Sequence, residues 1–188
     1  MTDDHIAVVD AALGVFLQYG FKRSTMGDIA QAAGLSRQSL YARFSNKDEV
    51  YAAGVELYGL RTIEKLVKKW DDAADLGDVI DTMFEISLFP TFDLLNSTPH
   101  ASDLVDAAAS PEGKVAMART KSMKCDALAR VFEPYSAGLA GHGLTPQQLA
   151  EFVETNKVAI IEAATDRTHL TALAATLKAS ILALTKAP

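Results

Sequence analysis

Apolar residues recur at helical spacing along most of this chain, and the period-two alternation of a strand is nearly absent. Ile6, Val9, Leu13, Phe16 and Leu17 form one stripe, and Gly20 stands where a left-handed residue ends a helix. Thr25 is placed to cap a second helix, with Asp28 three positions later completing a capping-box pattern before Ile29, Ala30 and Ala33. Gly34 ends that helix after barely two turns. Ser36 caps a third, and Leu35 and Leu40 flank its start at the spacing of a hydrophobic staple. Two short helices joined by a tight glycine turn, set on a preceding helix through the small residues Ala30, Ala32 and Ala33, make a helix-turn-helix unit.

The pattern then runs from Lys47 to about Trp70 as one long helix with Val50, Gly54, Leu57, Leu60, Ile63 or Glu64, and Val67 inward. Residues 76–95 predict a helix broken at Pro90, followed by a turn at Asn96–Pro99 and a short helix over Ser102–Ala109. Pro111 opens a helix that continues to about Tyr135 through Val115, Ala118, Ser122, Cys125, Leu128, Ala129 and Phe132. The run at 136–143 is the most loop-like. Thr145, Pro146 and Gln148 signal the start of the first of two closing helices. In the last one, Leu170, Leu173, Leu177, Ile181 and Leu184 form a seam for the core. Ala172, Ala175, Ala179 and Leu182 form a second, and Leu149, Phe152, Val153, Asn156, Ile160 and Ala163 of the helix before it can join that face. Two such faces can close a four-helix dimer bundle, although both seams could also lie within one subunit. The expectation is an all-α fold: a helix-turn-helix domain over residues 1–50 and a helical domain over 51–188.

Composition agrees with this: of 188 residues, 49% are hydrophobic but only 7% aromatic. The net charge of −6 argues against a nonspecific nucleic-acid coat. Locally the balance reverses, since residues 22–47 hold Lys22, Arg23, Arg37, Arg43 and Lys47 against the single Asp28, a surplus of +4. A compact basic face on an acidic protein suits a specific binder with a small footprint. The lone Cys125 excludes an internal disulfide framework and a multi-cysteine zinc site. The four histidines lie far apart, with no metal-ligand spacing, no phosphate loop and no nucleophile elbow, so neither cofactor nor catalysis is expected. No signal-like or membrane-length apolar run is present, and a cytoplasmic protein is expected.

The third helix carries the candidate chemistry. With Leu40 and Phe44 inward, Arg37, Gln38, Ser39 and Tyr41 are left outside. Arginine can make a bidentate contact to guanine and glutamine to adenine, so Arg37 and Gln38 have the donors and acceptors to read base edges of duplex DNA. Tyr41, Arg43 and Lys47 offer a hydroxyl, a guanidinium and an ammonium suited to phosphate oxygens.

The segment GFKRSTMGDIAQAAGLSRQSLYARFSNKDEV resembles the DNA-binding domain of the tetracycline-repressor (TetR) family: the glycine after the first helix, the threonine cap, Ile-Ala, Ala-Gly-Leu-Ser, Leu-Tyr and Lys-Asp-Glu all match. The resemblance covers roughly the first 50 residues. It implies phosphate contact at Thr25, Tyr41, Arg43 and Lys47, and base or groove contact at Arg37, Gln38 and Ser39 beside Ser36. Gln38 stands where many members have glycine, and Arg43 where histidine is common, so no operator sequence transfers. The resemblance further implies a homodimer on a pseudo-palindromic operator, its half-sites roughly 34–36 Å or a multiple apart. It also implies repression relieved by a small-molecule effector. Met83, Phe84, Phe89, Phe92, Met117, Cys125 and Phe132 are candidate lining for an apolar effector pocket, though such residues equally suit any helical core. His100 could be a polar contact there or an ordinary surface histidine. The competing reading is a helical ligand-binding or protein-interaction module without operator binding.

Overall fold

A computed structural model of the chain describes residues 2–97 and 100–186, and the side chains of all of these but 101 and 102. Among the described residues there are eleven α-helices and no strand. They are α1 (Asp3–Tyr19), α2 (Met26–Ala32), α3 (Arg37–Tyr41), α4 (Lys47–Trp70), α5 (Leu76–Met83) and α6 (Phe89–Ser97). Then follow α7 (Ala101–Ala108), α8 (Pro111–Phe132), α9 (Ser136–Gly141), α10 (Pro146–Ala163) and α11 (Arg167–Leu184). Two compact units emerge, each built from two stretches of chain: Met1–Arg61 with Asp93–Thr120, and Thr62–Phe92 with Lys121–Pro188.

The first unit closes around Val9, Phe16, Ile29, Leu40 and Val50, all at or near zero exposure, joined by Ala107 from α7. Phe21 packs on Phe16 with ring centroids 5.2 Å apart and on Tyr51 at 5.5 Å, separations at which aromatic pairs attract beyond their area. The Tyr51 hydroxyl donates to the Leu104 carbonyl at 2.8 Å, so a buried ring keeps its polar tip satisfied. The α1 stripe includes Val8, Ala12 and Val15 as well, whereas Leu17 is exposed.

In α4 the inward stripe follows Val50, Gly54 and Leu57 as expected and then turns to Thr62 and Leu66, leaving Leu60 and Val67 exposed. The reading by seven-residue steps failed there because a straight helix of 3.6 residues per turn rotates its stripe away from such a repeat. A similar displacement occurs in α8: Ala116 and Thr120 are buried in place of the expected Val115, Ala118 and Ser122, and only from Cys125 onward does the predicted stripe hold. The five-residue step from Thr120 to Cys125 is where α8 leaves one unit and enters the other.

The second unit has an apolar core in which Ile80, Leu88, Leu128, Phe132, Leu149, Leu170 and Ile181 are almost wholly buried. The expected break at Pro90 is a widened turn rather than a helix end. Residues Phe84–Leu88 form a π-helical turn in which the Phe89 N–H bonds to the Phe84 carbonyl, five residues back. Widening the ladder just ahead of Pro90 accommodates a ring that has no N–H and would crowd the carbonyl four residues earlier. Of the predicted turn at 96–99, Asn96 and Ser97 are helical and residues 98 and 99 lie outside the described residues.

The 136–143 run is helical over Ser136–Gly141, not a loop, because Leu139 is driven fully into the core and packing overrides the glycines' poor propensity. Thr145 caps α10 with a reciprocal box to Gln148, and Asp166 caps α11 by accepting from the His169 N–H at 2.8 Å. The core seam of α11 is Leu170, Ala174, Leu177 and Ile181. On α10, Lys157 donates to Glu154 at 2.7 Å with both side chains 10% exposed or less, an ion pair set among apolar residues.

Candidate nucleic-acid interface

Capping chemistry fixes the helix-turn-helix residue by residue. The Asp28 N–H donates to Thr25 Oγ1 at 3.2 Å, while the Thr25 N–H and hydroxyl both donate to Asp28 Oδ2 at 2.8 Å. These donors hold the Asp28 carboxyl below its ordinary range, with the Arg37 cation adding a smaller pull. At the other end of α2, Gly34 takes φ +66°, its N–H bonds to Gln31 O at 3.1 Å and the Leu35 N–H to Ala30 O at 2.8 Å. That double closure needs a left-handed residue, which is why glycine stands there. Ala30 is buried and Ala33 partly so, but Ala32, expected to pack with them, is exposed.

The turn delivers α3, whose cap Ser36 accepts from the Ser39 N–H at 3.1 Å and lies 2.8 Å from its hydroxyl. Of the five α3 residues only Leu40 is buried; Arg37, Gln38, Ser39 and Tyr41 are exposed, Tyr41 at 54%. The structure thus gathers Thr25, Ser36, Arg37, Gln38, Ser39 and Tyr41 on exposed positions of α2, α3 and the caps between them. The Arg37 guanidinium folds back over Gly27: a methyl group there would sit 2.5 Å from Nη2. Arg37 is accordingly parked near Asp28 and the start of α2.

Two predicted contact residues are placed differently from the others. Lys47 directs its ammonium at the carbonyls of Phe21 (2.7 Å), Ser24 (3.2 Å) and Lys22 (3.3 Å), and lies 4.4 Å over the Phe21 ring. Three donors on three acceptors make it the clasp of the α1–α2 loop rather than a cation held out to solvent. Arg43 is half-buried, with Asp4 of α1 at 3.8 Å.

Other partners invisible to the local charge count also converge on this unit. Lys22 pairs with Asp106 at 2.6 Å and Asp103 at 3.8 Å, which raises its pKa, and Arg23 donates to the Tyr19 carbonyl at 3.0 Å and bonds the His100 ring. The +4 surplus of residues 22–47 is largely countered by Asp4, Asp103 and Asp106. The sequence signal that could have shown this is the Asp103/Asp106 pair, three apart on one face of a predicted helix.

Among the dimer candidates, Phe152 is 46% exposed, Ala172, Ala175 and Ala179 are exposed, and Asn156, Ile160 and Leu182 are half-buried, whereas Leu149 and Val153 are buried instead in the second unit's own core. Among the pocket candidates, Met83, Phe84, Phe92, Cys125 and Phe132 share the second unit's core, and Phe89 lies beneath the Arg167 guanidinium at 4.2 Å. Met117 is not with them: it is 47% exposed on the part of α8 that belongs to the first unit.

Residues 8–53 match the family model for bacterial regulatory proteins of the tetR family. The chain is similar to the biofilm operon icaADBC HTH-type negative transcriptional regulator IcaR of Staphylococcus epidermidis, 27% identical over 78 residues, 42% of either chain. It is also similar to the HTH-type transcriptional repressor ComR of Escherichia coli K12, 33% identical over 55 residues, or 29% of this chain and 26% of that one. The matched region thus spans less than half the length of these relatives, which are transcriptional regulators. The fold is shared over nearly the whole chain with the fatty acid degradation regulator FadR from Bacillus halodurans (TM-score 0.67, 16% identity, 97% of this chain and 96% of that one). A SmeT–triclosan complex shares it too, with a TM-score of 0.55 and 19% identity, over 97% of this chain and 88% of that one. The similarity to the tetR family of bacterial regulatory proteins is carried by residues 8–53, and the likeness of fold extends over nearly the whole chain.

Proposed function

We propose that this protein is a sequence-specific DNA-binding transcriptional regulator, a homodimeric repressor that leaves a pseudo-palindromic operator when a small apolar molecule binds its second unit. It acts by binding rather than by catalysis, in the cytoplasm. The observation that carries this reading is α3, a five-residue helix with one buried residue and four exposed polar ones, held by caps at a glycine turn. A helix that only filled a core would bury more of itself. Arg37 and Gln38 in its first turn, with Ser39 beside them, meet base edges or the groove next to the cap Ser36, while Thr25, Tyr41 and Arg43 position the unit on phosphates. Lys47 contributes through the loop it clasps.

The small, exposed face of Ala172, Ala175 and Ala179 on α11 and the exposed Phe152 on α10 support pairing of these helices with a second copy. The apolar core holding Met83, Phe84, Phe92, Cys125 and Phe132 supports an apolar effector, as does the triclosan bound by a structural relative. Release requires that the effector prefer the conformation unable to span the operator, since equal affinity for both states would shift nothing. In-vitro selection from random duplex DNA at near-physiological salt tests the proposal. Enrichment of an inverted repeat whose recovery collapses with Arg37→Ala is expected. Failure to enrich any sequence, with the protein denatured, dialysed and refolded to remove bound ligand, would overturn it.

A further inference from the structure

The contacts made by α7 reach into the basic set ahead of α2. Lys22 lies three residues before Thr25, the exposed cap of α2. Its ammonium sits 2.6 Å from Asp106 and 3.8 Å from Asp103, and its backbone N–H donates to Asp103 at 3.3 Å. Its neighbour Arg23 bonds the ring of His100, one residue before α7 begins. Two consecutive cations beside a phosphate-contact position are therefore held by residues 100–106.

The two carboxylates differ in kind. Asp103 is 15% exposed and also grips the loop backbone, so it shapes the α1–α2 loop. Asp106 is 58% exposed, and among the described residues its carboxylate meets only Lys22, itself 63% exposed. An exposed pair of this sort is worth at most about 1 kcal/mol. Duplex DNA offers Lys22 a dense row of phosphates and releases a counterion for each one neutralised. The two acceptors are close enough in strength to compete.

We infer that α7 belongs to the DNA-affinity machinery: Asp106 holds Lys22 in competition with backbone phosphates and so sets how tightly the helix-turn-helix unit grips DNA. This rests on the DNA-binding reading given above. Because phosphates carry no sequence information, the effect falls equally on operator and on arbitrary DNA.

The test measures binding of wild type, Asp106→Asn, Lys22→Gln and the double variant to the selected inverted repeat and to mixed-sequence duplex, across a salt series. Asp106→Asn is expected to bind both DNAs about two- to fivefold tighter at low salt, the factor that up to about 1 kcal/mol corresponds to. Its salt slope steepens by about 0.9 per Lys22 recruited by each half of the dimer. In the Lys22→Gln background the gain disappears. Unchanged or weaker binding by Asp106→Asn, or a gain that survives Lys22→Gln, would overturn the inference while wild-type binding upheld the DNA-binding reading. Absence of wild-type binding would overturn both. Far-ultraviolet circular dichroism and melting of each variant separate a loss of fold from a change of contact.

Discussion

The two units use their polar side chains in opposite ways. In the first, polar groups sit at the surface and fix turns: Thr25, Asp28 and Ser36 cap helices, and Lys47 clasps a loop by its carbonyls. In the second, charge goes inward, where Lys157 and Glu154 pair at 2.7 Å on α10 with side chains only 6% and 10% exposed. Surface caps hold an exposed helix in one attitude without burying it, which suits the DNA-reading role proposed for it. A buried pair adds little net stability over an apolar substitute, yet it penalises any arrangement that separates its members. The first unit is thus built for presentation, and the second for a defined core.

Breaking the buried pair should have the largest effect. Lys157→Met leaves an unpaired carboxylate inside the second unit and is expected to cost about 3–5 kcal/mol in denaturant unfolding. The double change Glu154→Leu with Lys157→Met should recover most of that loss. An equal loss in the double variant would mean that shape at these positions matters more than charge.

Removing the clasp comes next. Lys47→Ala frees three loop carbonyls and should lower stability by about 1.5–3 kcal/mol, as for hydrogen bonds to a charged group. If Lys47 serves as a phosphate contact alone, stability will stay at the wild-type value while binding weakens and its salt slope flattens.

Cap removal is smaller: Thr25→Ala should cost about 1 kcal/mol, read as a shift in denaturant midpoint at constant slope.

The smallest effect is a gain. Burial pushes the Lys124 ammonium below the ordinary lysine value of 10.5, with the Lys157 charge adding to the shift. The folded chain therefore releases this proton more readily than the unfolded chain does. The cost of burial is fully present below the folded pKa and disappears as pH rises from there through 10.5. Lys124→Met should accordingly raise Tm at neutral pH by about 2–4 °C, roughly 1 kcal/mol for a chain of this size, and the gain should shrink at alkaline pH. A gain that holds constant with pH would trace the effect to packing instead.

What could be read from the sequence follows the same division. Helix ends in the first unit are set by neighbours in the chain, so Thr25, Gly34 and Ser36 announced their caps and the turn between them, and Leu40 announced the buried side of α3. Long-range partners left no such local mark. Nothing near Lys47 says that its ammonium returns to residues 21–24, and nothing near Lys22 says that Asp106 will meet it, because folding brings those groups together across 25 and 84 positions of chain. The α4 stripe is legible as far as Leu57, before the helix passes into the second unit, and the α8 stripe only from Cys125, after that helix has done so. The Glu154–Lys157 pair went unnoticed because charges three apart on a helix are ordinarily a solvated surface feature.

The central claim is that the exposed first turn of α3 reads bases. Its most direct test is the affinity of Arg37→Ala and wild type for every single-base-pair variant of the selected operator at one stated salt concentration. The account predicts a loss of about 1–3 kcal/mol on the intact site and indifference to substitution at one base pair per half-site, with discrimination at the others retained. A uniform weakening that leaves discrimination intact at every position would contradict it, assigning Arg37 to the phosphate backbone and base reading to another part of the chain.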